Sequence, residues 1–270
     1  MKKIGLVGGT GPESTVMYYK ELNNRIAKMT NGAAMPDIVI ESVNFPKTWG
    51  LVTGGKYEEL ADYLSEKVES LKAGGAEIIS LTAGTMHIVY DEIVQKTNTS
   101  PVSIPKAIRD EAVSRGIKKV GLLGTIFTME QDYMKKDLTE AGIDVVIPKK
   151  PERELIAKRI FEELESGIVK ESTLKEFTDI IKRMQAEDGI EAVILGCTEL
   201  PLLLNGENCP VCCLDSVEIH LNKLIELALQ DKEIVESERF TMRRLMPDDY
   251  KLMAAWDMDE RVYKYLLGNA

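Results

Sequence analysis

Ile4-Gly5-Leu6-Val7-Gly8-Gly9-Thr10 returns later in the chain as Val120-Gly121-Leu122-Leu123-Gly124-Thr125, with Gly8 and Gly124 standing 116 residues apart. A second pair repeats at almost the same offset. Glu77-Ile78-Ile79-Ser80-Leu81-Thr82-Ala83 is echoed by Glu191-Ala192-Val193-Ile194-Leu195-Gly196-Cys197, with Ala83 and Cys197 114 residues apart. Each copy is a short apolar run that closes on small residues, the pattern of a buried strand running into a turn. Two matches at nearly one offset imply two similar α/β halves, residues 1–100 and 101–214.

Working outward from these pairs, apolar runs at Lys3–Val7, Asp37–Val43, Glu77–Leu81, Lys119–Leu123, Val145–Ile147, Glu191–Leu195 and Val211–Leu214 read as strands. Between them, Tyr57–Ala73 carries Leu60, Leu64, Val68 and Leu71 on one helical face, and Glu13–Lys28 and Thr173–Gln185 behave alike. Strands apolar on both faces and joined by helices predict parallel sheets covered on both sides, an α/β fold of two pseudo-symmetric Rossmann-like halves. A helix over 215–232, with Ile219, Leu221, Leu224, Ile225, Leu227 and Leu229, is expected to pack back on the first half. Ligands of open α/β sheets bind beyond the carboxyl ends of the strands. Loops 8–15, 82–87, 124–129 and 196–200 are therefore expected around one crevice between the halves.

With 270 residues, 44% apolar and 29% charged, the chain has the balance of a globular protein large enough to bury a core. A net charge of −10 argues against nucleic acid or an anionic membrane surface as partner. No apolar run reaches the ~20 residues of a membrane span, and the apolar start breaks at Gly8-Gly9 before it forms a secretory segment. A cytoplasmic location is expected. The four cysteines, Cys197, Cys209, Cys212 and Cys213, all fall in the second half. Cys209-Pro210-Val211-Cys212 has C-x-x-C form but no second ligand pair to complete a zinc site, so these thiols read as small structural groups and no metal is expected.

Gly8-Gly9-Thr10-Gly11-Pro12-Glu13-Ser14-Thr15 follows a strand and opens a helix, where N–H groups and hydroxyls suit a carboxylate or phosphate. As a dinucleotide fingerprint it fails at Ser14, where the third glycine belongs, and Glu41 falls poorly for the ribose-binding acid. Cys197 ends a buried strand where a helix is expected to begin. Helix N–H groups there would lower the thiol pKa and ready a thiolate to take a proton.

Four of these segments resemble the aspartate/glutamate racemase family in order along residues 1–230. They are Gly8–Thr15, Gly84-Thr85-Met86-His87, Leu123-Gly124-Thr125-Ile126-Phe127-Thr128-Met129-Glu130 and Leu195-Gly196-Cys197-Thr198-Glu199-Leu200. Asp215-Ser216 followed by His220 fits as well. The resemblance implies a racemase that needs no pyridoxal phosphate or other cofactor. One acid/base residue from each half would face opposite sides of the substrate Cα, since a planar carbanion is inverted only when a donor waits on each face. By that resemblance Cys197 is the second-half acid/base. The first-half position falls on Ala83, which has no proton to exchange, and the neighbouring Asn position on Gly84. Thr82, one residue earlier, or an ordered water is the expected stand-in. A second departure is Ile126, where relatives often carry a basic residue.

Three readings stay open at this point. The chain is an amino-acid racemase for aspartate and/or glutamate, a one-cysteine enzyme doing one-sided proton chemistry as related decarboxylases do, or a binding relative that has lost turnover. The resemblance also implies a ring of substrate-binding groups, Thr10, Asn44, Gly84, Thr85, Thr125, Thr128 and Thr198, several of which would serve as helix caps in any case. Lys47 and Trp49 follow Asn44 in a loop, where a lysine could meet a distal carboxylate. His87 reads equally as donor or structural group, and His220 as structural. The expected partners are a small carboxylate-bearing amino acid and a second copy of the chain in a homodimer. Residues 236–270, from Phe240-Thr241-Met242 through Pro247-Asp248-Asp249 to Trp256 and Tyr263, resemble the first strand and helix of a GCN5-type acetyltransferase domain, a stub without that fold's acetyl-CoA loop.

Overall fold

The computed structural model describes residues 1–230 and the backbone of Val235–Glu236 and Thr241–Met242. Residues 1–229 form one compact unit and Gln230–Ala270 a second. In the second unit the two short strands pair antiparallel, and the rest of the acetyltransferase-like expectation lies outside the described residues. No described helix is long and apolar enough to cross a membrane.

The first half runs β1 (Ile4–Gly8), α1 (Pro12–Met29), β2 (Ile38–Ser42), α2 (Phe45–Thr53), α3 (Tyr57–Ala73), β3 (Ile78–Leu81), a 3-10 turn at Gly84–Val89 and α4 (Tyr90–Thr97). The second continues with α5 (Ile104–Ser114), β4 (Lys119–Leu123), α6 (Ile126–Glu130), α7 (Lys136–Glu140), β5 (Asp144–Val146), α8 (Lys150–Glu162), α9 (Glu171–Arg183), β6 (Ala192–Leu195), β7 (Cys212–Asp215) and α10 (Ser216–Leu229). All pairings in the two main sheets are parallel, in the orders β2-β1-β3 and β5-β4-β6-β7. The registers repeat too. Val7 pairs with Leu81 in one sheet as Leu123 pairs with Leu195 in the other. Where β7 borders β6, the first sheet has only a bridge from Ser80 to Val102.

The central strands β1 and β4 are buried almost throughout, as strands covered on both faces must be. Leu60, Leu64, Val68 and Leu71 of α3 are all fully buried with Val7, Ile79 and Leu81 on one side of the first sheet. The other side is closed by α1 and by α10, which carries Val217, Leu221, Leu224 and Ile225 back onto Ile4, Leu6, Tyr18 and Leu22. In exchange, α5 lays Ile104, Ile108 and Ala112 over Val120, Leu122 and Ile194 of the second sheet. A buried polar network pins α10 in place. Tyr18 Oη donates to His220 Nδ1 at 2.7 Å, and His220 Nε2 donates to the Val102 carbonyl at 3.0 Å with Ser80 Oγ at 2.9 Å. Arg25 of α1 adds a two-pronged pair with Glu218, with bonds of 2.7 and 2.6 Å.

Candidate active site

A cavity of about 680 Å³ lies at the carboxyl ends of β1, β3, β4 and β6. It is lined by all four expected loops: Thr10, Gly11 and Ser14 from the first, Thr82–Thr85 from the second, Thr125–Thr128 from the third and Gly196–Glu199 from the fourth. Two glycines let the loops turn there. Gly9 has φ +88°, and a Cβ on it would sit 2.7 Å from the Val43 carbonyl oxygen. A Cβ on Gly196 would sit 2.8 Å from the Leu123 carbonyl oxygen, so the ends of β4 and β6 approach closely only because residue 196 has no side chain.

Cys197 sits on the second-half wall, mostly buried. Its Sγ donates to Glu199 Oε2 at 2.7 Å, while Thr198 Oγ1 donates to Glu199 Oε1 at 2.7 Å, so both carboxylate oxygens are engaged within one turn. The expected helix does not follow the cysteine. Only a 3-10 turn forms, at Leu200–Leu202, and the chain turns again at Asn205-Gly206. The expected lowering of the thiol pKa is reversed, although the Glu199 backbone N–H still bonds the sulfur and acts to lower it. Burial pushes the Cys197 thiol well up, and the Glu199 carboxylate adds to that. Glu165, carried into the cavity by the turn after α8, is also raised, by burial first and then by Glu199.

Ala83 lines the facing wall, as the repeat requires, and offers only a methyl group. Its backbone is extended (φ −126°, ψ 129°), so the side chains of Thr82 and Ala83 leave the chain on opposite sides, although both residues border the cavity. Thr82 is 1% exposed, and its hydroxyl donates to the Val7 carbonyl at 3.2 Å. That bond takes up its proton, so the structure does not present Thr82 as the stand-in acid/base. Thr85 on this wall has a hydroxyl that is a polar neighbour of the Tyr133 hydroxyl. Tyr133 Oη donates to Thr128 Oγ1 at 3.0 Å, and Thr128 Oγ1 lies 3.0 Å from Thr125 Oγ1. A chain of hydroxyls thus joins the two halves, with Tyr133 held at a pKa of about 12 by burial.

The other expected residues divide. Thr10, Gly84, Thr85, Thr125, Thr128 and Thr198 line the cavity. Thr125 is also the cap of α6, accepting from Thr128 N at 3.2 Å. Asn44 is not in the lining: its Oδ1 caps α2 by accepting from Lys47 N at 3.1 Å. Lys47 turns away to sit over the Tyr63 ring, 3.8 Å from its centroid, whereas Trp49 does line the cavity and meets Phe127 edge-on at 6.5 Å. His87 is structural. Its Nδ1 lies 3.1 Å from the Gly84 carbonyl, its Nε2 accepts from Ile104 N at 3.1 Å, and burial holds it neutral with a pKa of about 4. His220, at a pKa of about 3, belongs to the network under α10. Glu41 pairs with Lys67 and Ser70 and faces no ligand site. Cys212 is exposed and Cys209 and Cys213 half-buried, all as free thiols, and no described cluster has the ligands for a metal.

Sequence reasoning passed over Glu199, Glu165 and Tyr133. The signal for Glu199 was present, since a carboxylate two residues from a strand-end cysteine can reach back to it. Tyr133 and Glu165 sit in irregular turns, where no period tells which way a side chain points.

Residues 7–224 match the Asp/Glu/hydantoin racemase family, and the chain belongs to that family of isomerases. Two solved structures resemble it along nearly their whole length. A Yersinia pestis protein described as an Asp/Glu racemase candidate is 36% identical, with a TM-score of 0.81, 85% of this chain and 100% of that one covered. An aspartate racemase homologue from Pyrococcus horikoshii is 41% identical, with a TM-score of 0.77, 84% and 99% covered. The broad specificity amino-acid racemase RacX of Bacillus subtilis is 25% identical over 146 residues, which are 53% of this chain and 63% of that protein's length.

Proposed function

We propose that the chain racemises a free amino acid by moving the proton at Cα, without a cofactor, and that Cys197 is the acid/base on the second-half face. The observation that carries this reading is the Cys197 thiol bonded to Glu199 at 2.7 Å inside the cavity between the two sheets. The substrate α-carboxylate is received by the amides opening α1 and by the hydroxyls of Thr10 and Thr125, which draw off charge as the carbanion forms. Because its pKa is raised, Cys197 rests as the thiol and is ready to give a proton. To take one, it first passes its own to Glu199. On the far face Ala83 supplies nothing, and the hydroxyl chain ending at Thr85 is the source of the second proton.

A second reading draws on the same wall. With Ala83 in place and Thr82 tied to Val7, exchange through Cys197 alone would return the proton to the face it left. Incubation in D2O with both enantiomers of aspartate, glutamate and methionine separates the two. Deuterium appearing together with inversion supports the racemase. Deuterium with retained configuration supports one-sided chemistry. Absence of exchange from every one of these amino acids, or exchange that persists in Cys197→Ser, overturns the proposal.

A further inference from the structure

We propose that the cavity selects a monocarboxylic amino acid with an apolar side chain, of the methionine, leucine or phenylalanine class, and rejects dicarboxylates. This rests on the amino-acid reading above and goes beyond it to the substrate class. No Lys, Arg or His is among the described residues that line the cavity, and its acidic lining groups are Glu130, Glu165 and Glu199. Cations close in sequence to the lining are engaged elsewhere: Arg159 bonds Glu176 at 2.8 Å and Glu163 at 2.9 Å, and Lys158 lies 4.0 Å from Glu162. Arg153 bonds the Pro148 carbonyl at 2.7 Å and Glu130 at 3.1 Å, Lys135 lies 3.1 Å from both the Glu130 carbonyl and Asp132, and Lys47 covers Tyr63.

An amino acid asks of its site one set of donors and one anion. The turn at Thr10 and the Thr125 hydroxyl supply the donors for the α-carboxylate, and Glu165 supplies the counter-charge for the α-ammonium, Glu199 being taken by Cys197 and Thr198. The polar lining that remains, Ser14, Thr85, Thr128, Gln131 and Ser216 among it, is neutral. A second carboxylate would enter a cavity that holds three carboxylates and no lining cation to meet it, and a charge drawn out of water without a partner is costly. The remaining wall is Phe45, Trp49, Ile126, Phe127, Ile160 and Phe161. These side chains gain by covering an apolar substituent, and about 680 Å³ leaves room for a long one.

Trp49 on that wall reports binding by its fluorescence, and Trp256→Phe in the full chain removes the only other indole. L-Methionine is expected to bind about 100-fold more tightly than L-aspartate. Aspartate or glutamate binding as tightly as methionine overturns the inference. So does L-lysine binding best, which would mean that the acids and not the rings select, and so does a failure of all of them to bind. Phe161→Arg, at a position 72% exposed and so tolerated by the fold, is expected to narrow the methionine-to-aspartate ratio at least about tenfold. An unchanged ratio counts against the inference. Binding and exchange fail separately. Methionine that binds without exchange at Cα removes the racemase reading and leaves this inference standing, whereas aspartate that binds tightly and racemises does the reverse.

Discussion

Glu199→Gln tests the electrostatics of the site directly. In the wild type the thiol proton of Cys197 faces a carboxylate oxygen at 2.7 Å, so forming the thiolate sets two negative charges side by side. At a separation relaxed to about 4 Å and an effective dielectric of about 20, that repulsion is about 4 kcal/mol. Both groups are partly exposed to the cavity, and solvent there cuts the figure to about half. Each 1.4 kcal/mol is a factor of ten, so the thiolate population at fixed pH should rise about 10- to 100-fold in the variant. The assay is alkylation of Cys197 by iodoacetamide near pH 8, followed on the peptide that contains it, because Cys209, Cys212 and Cys213 react as well. The variant should alkylate faster across the profile while its racemisation falls, since the proton acceptor is gone. Burial still acts on the thiol, so its pKa should stay above the ordinary range. Alkylation that is slower than or equal to wild type would refute the reasoning, because the carboxylate would then not be what opposes the thiolate.

Other perturbations reach the facing wall and the scaffold. Ala83→Cys puts a proton donor on the wall opposite Cys197 and should raise racemisation at least about tenfold by enantiomer-resolved assay. An active enzyme left unchanged would mean that Ala83 does not face Cα. Tyr18→Phe leaves His220 Nδ1 buried without its donor, which should cost about 1–3 kcal/mol and lower Tm by several degrees in a melting scan. A Tm equal to wild type would show that the bond contributes nothing net. His87 and His220 are held by burial at about 4 and about 3, below the ordinary 6.5. The unfolded chain therefore takes up these protons below about pH 6.5 while the fold still refuses them. Their stabilising contribution is lost as pH falls from there, by about 1.4 kcal/mol per unit for each histidine. Melting scans should show Tm falling steadily between about pH 7 and pH 5, and a flat Tm would refute the assignment.

The sheets were legible because their residues leave few choices. Lys119–Leu123 and Tyr57–Ala73 have the bounds that their apolar period predicts, and the doubled offset of Gly8 with Gly124 and Ala83 with Cys197 by itself implies four loops around one cavity. The surroundings of Cys197 were not legible. A 3-10 turn and not a helix follows residue 197, and the sign of the thiol shift is set by burial and the Glu199 carboxylate, which only packing brings together. Asn44 shows a second limit. Ending a strand beside the cavity suits an oxygen for ligand and for cap alike, and the amides opening α2 claimed it. Tyr133 and Glu165 were missed because their turns have neither period nor signature, so only packing orients them.

The exchange of α5 and α10 sets the order in which the halves can become stable during synthesis. The strands of the first sheet leave the ribosome early, but Ile4, Leu6 and Tyr18 stay uncovered until residues 216–229 emerge. The second sheet already has α5 when β7 appears, so it can close first, and the nascent N-terminal half must be kept from aggregating until then. The same closure leaves Lys2 N 3.0 Å from the Ala228 carbonyl. A gene that joins Ala228 to Lys2 without residues 229–270 and opens instead at the exposed turn Asn31-Gly32 would make the first half's lid its neighbour in translation, and should relieve that delay.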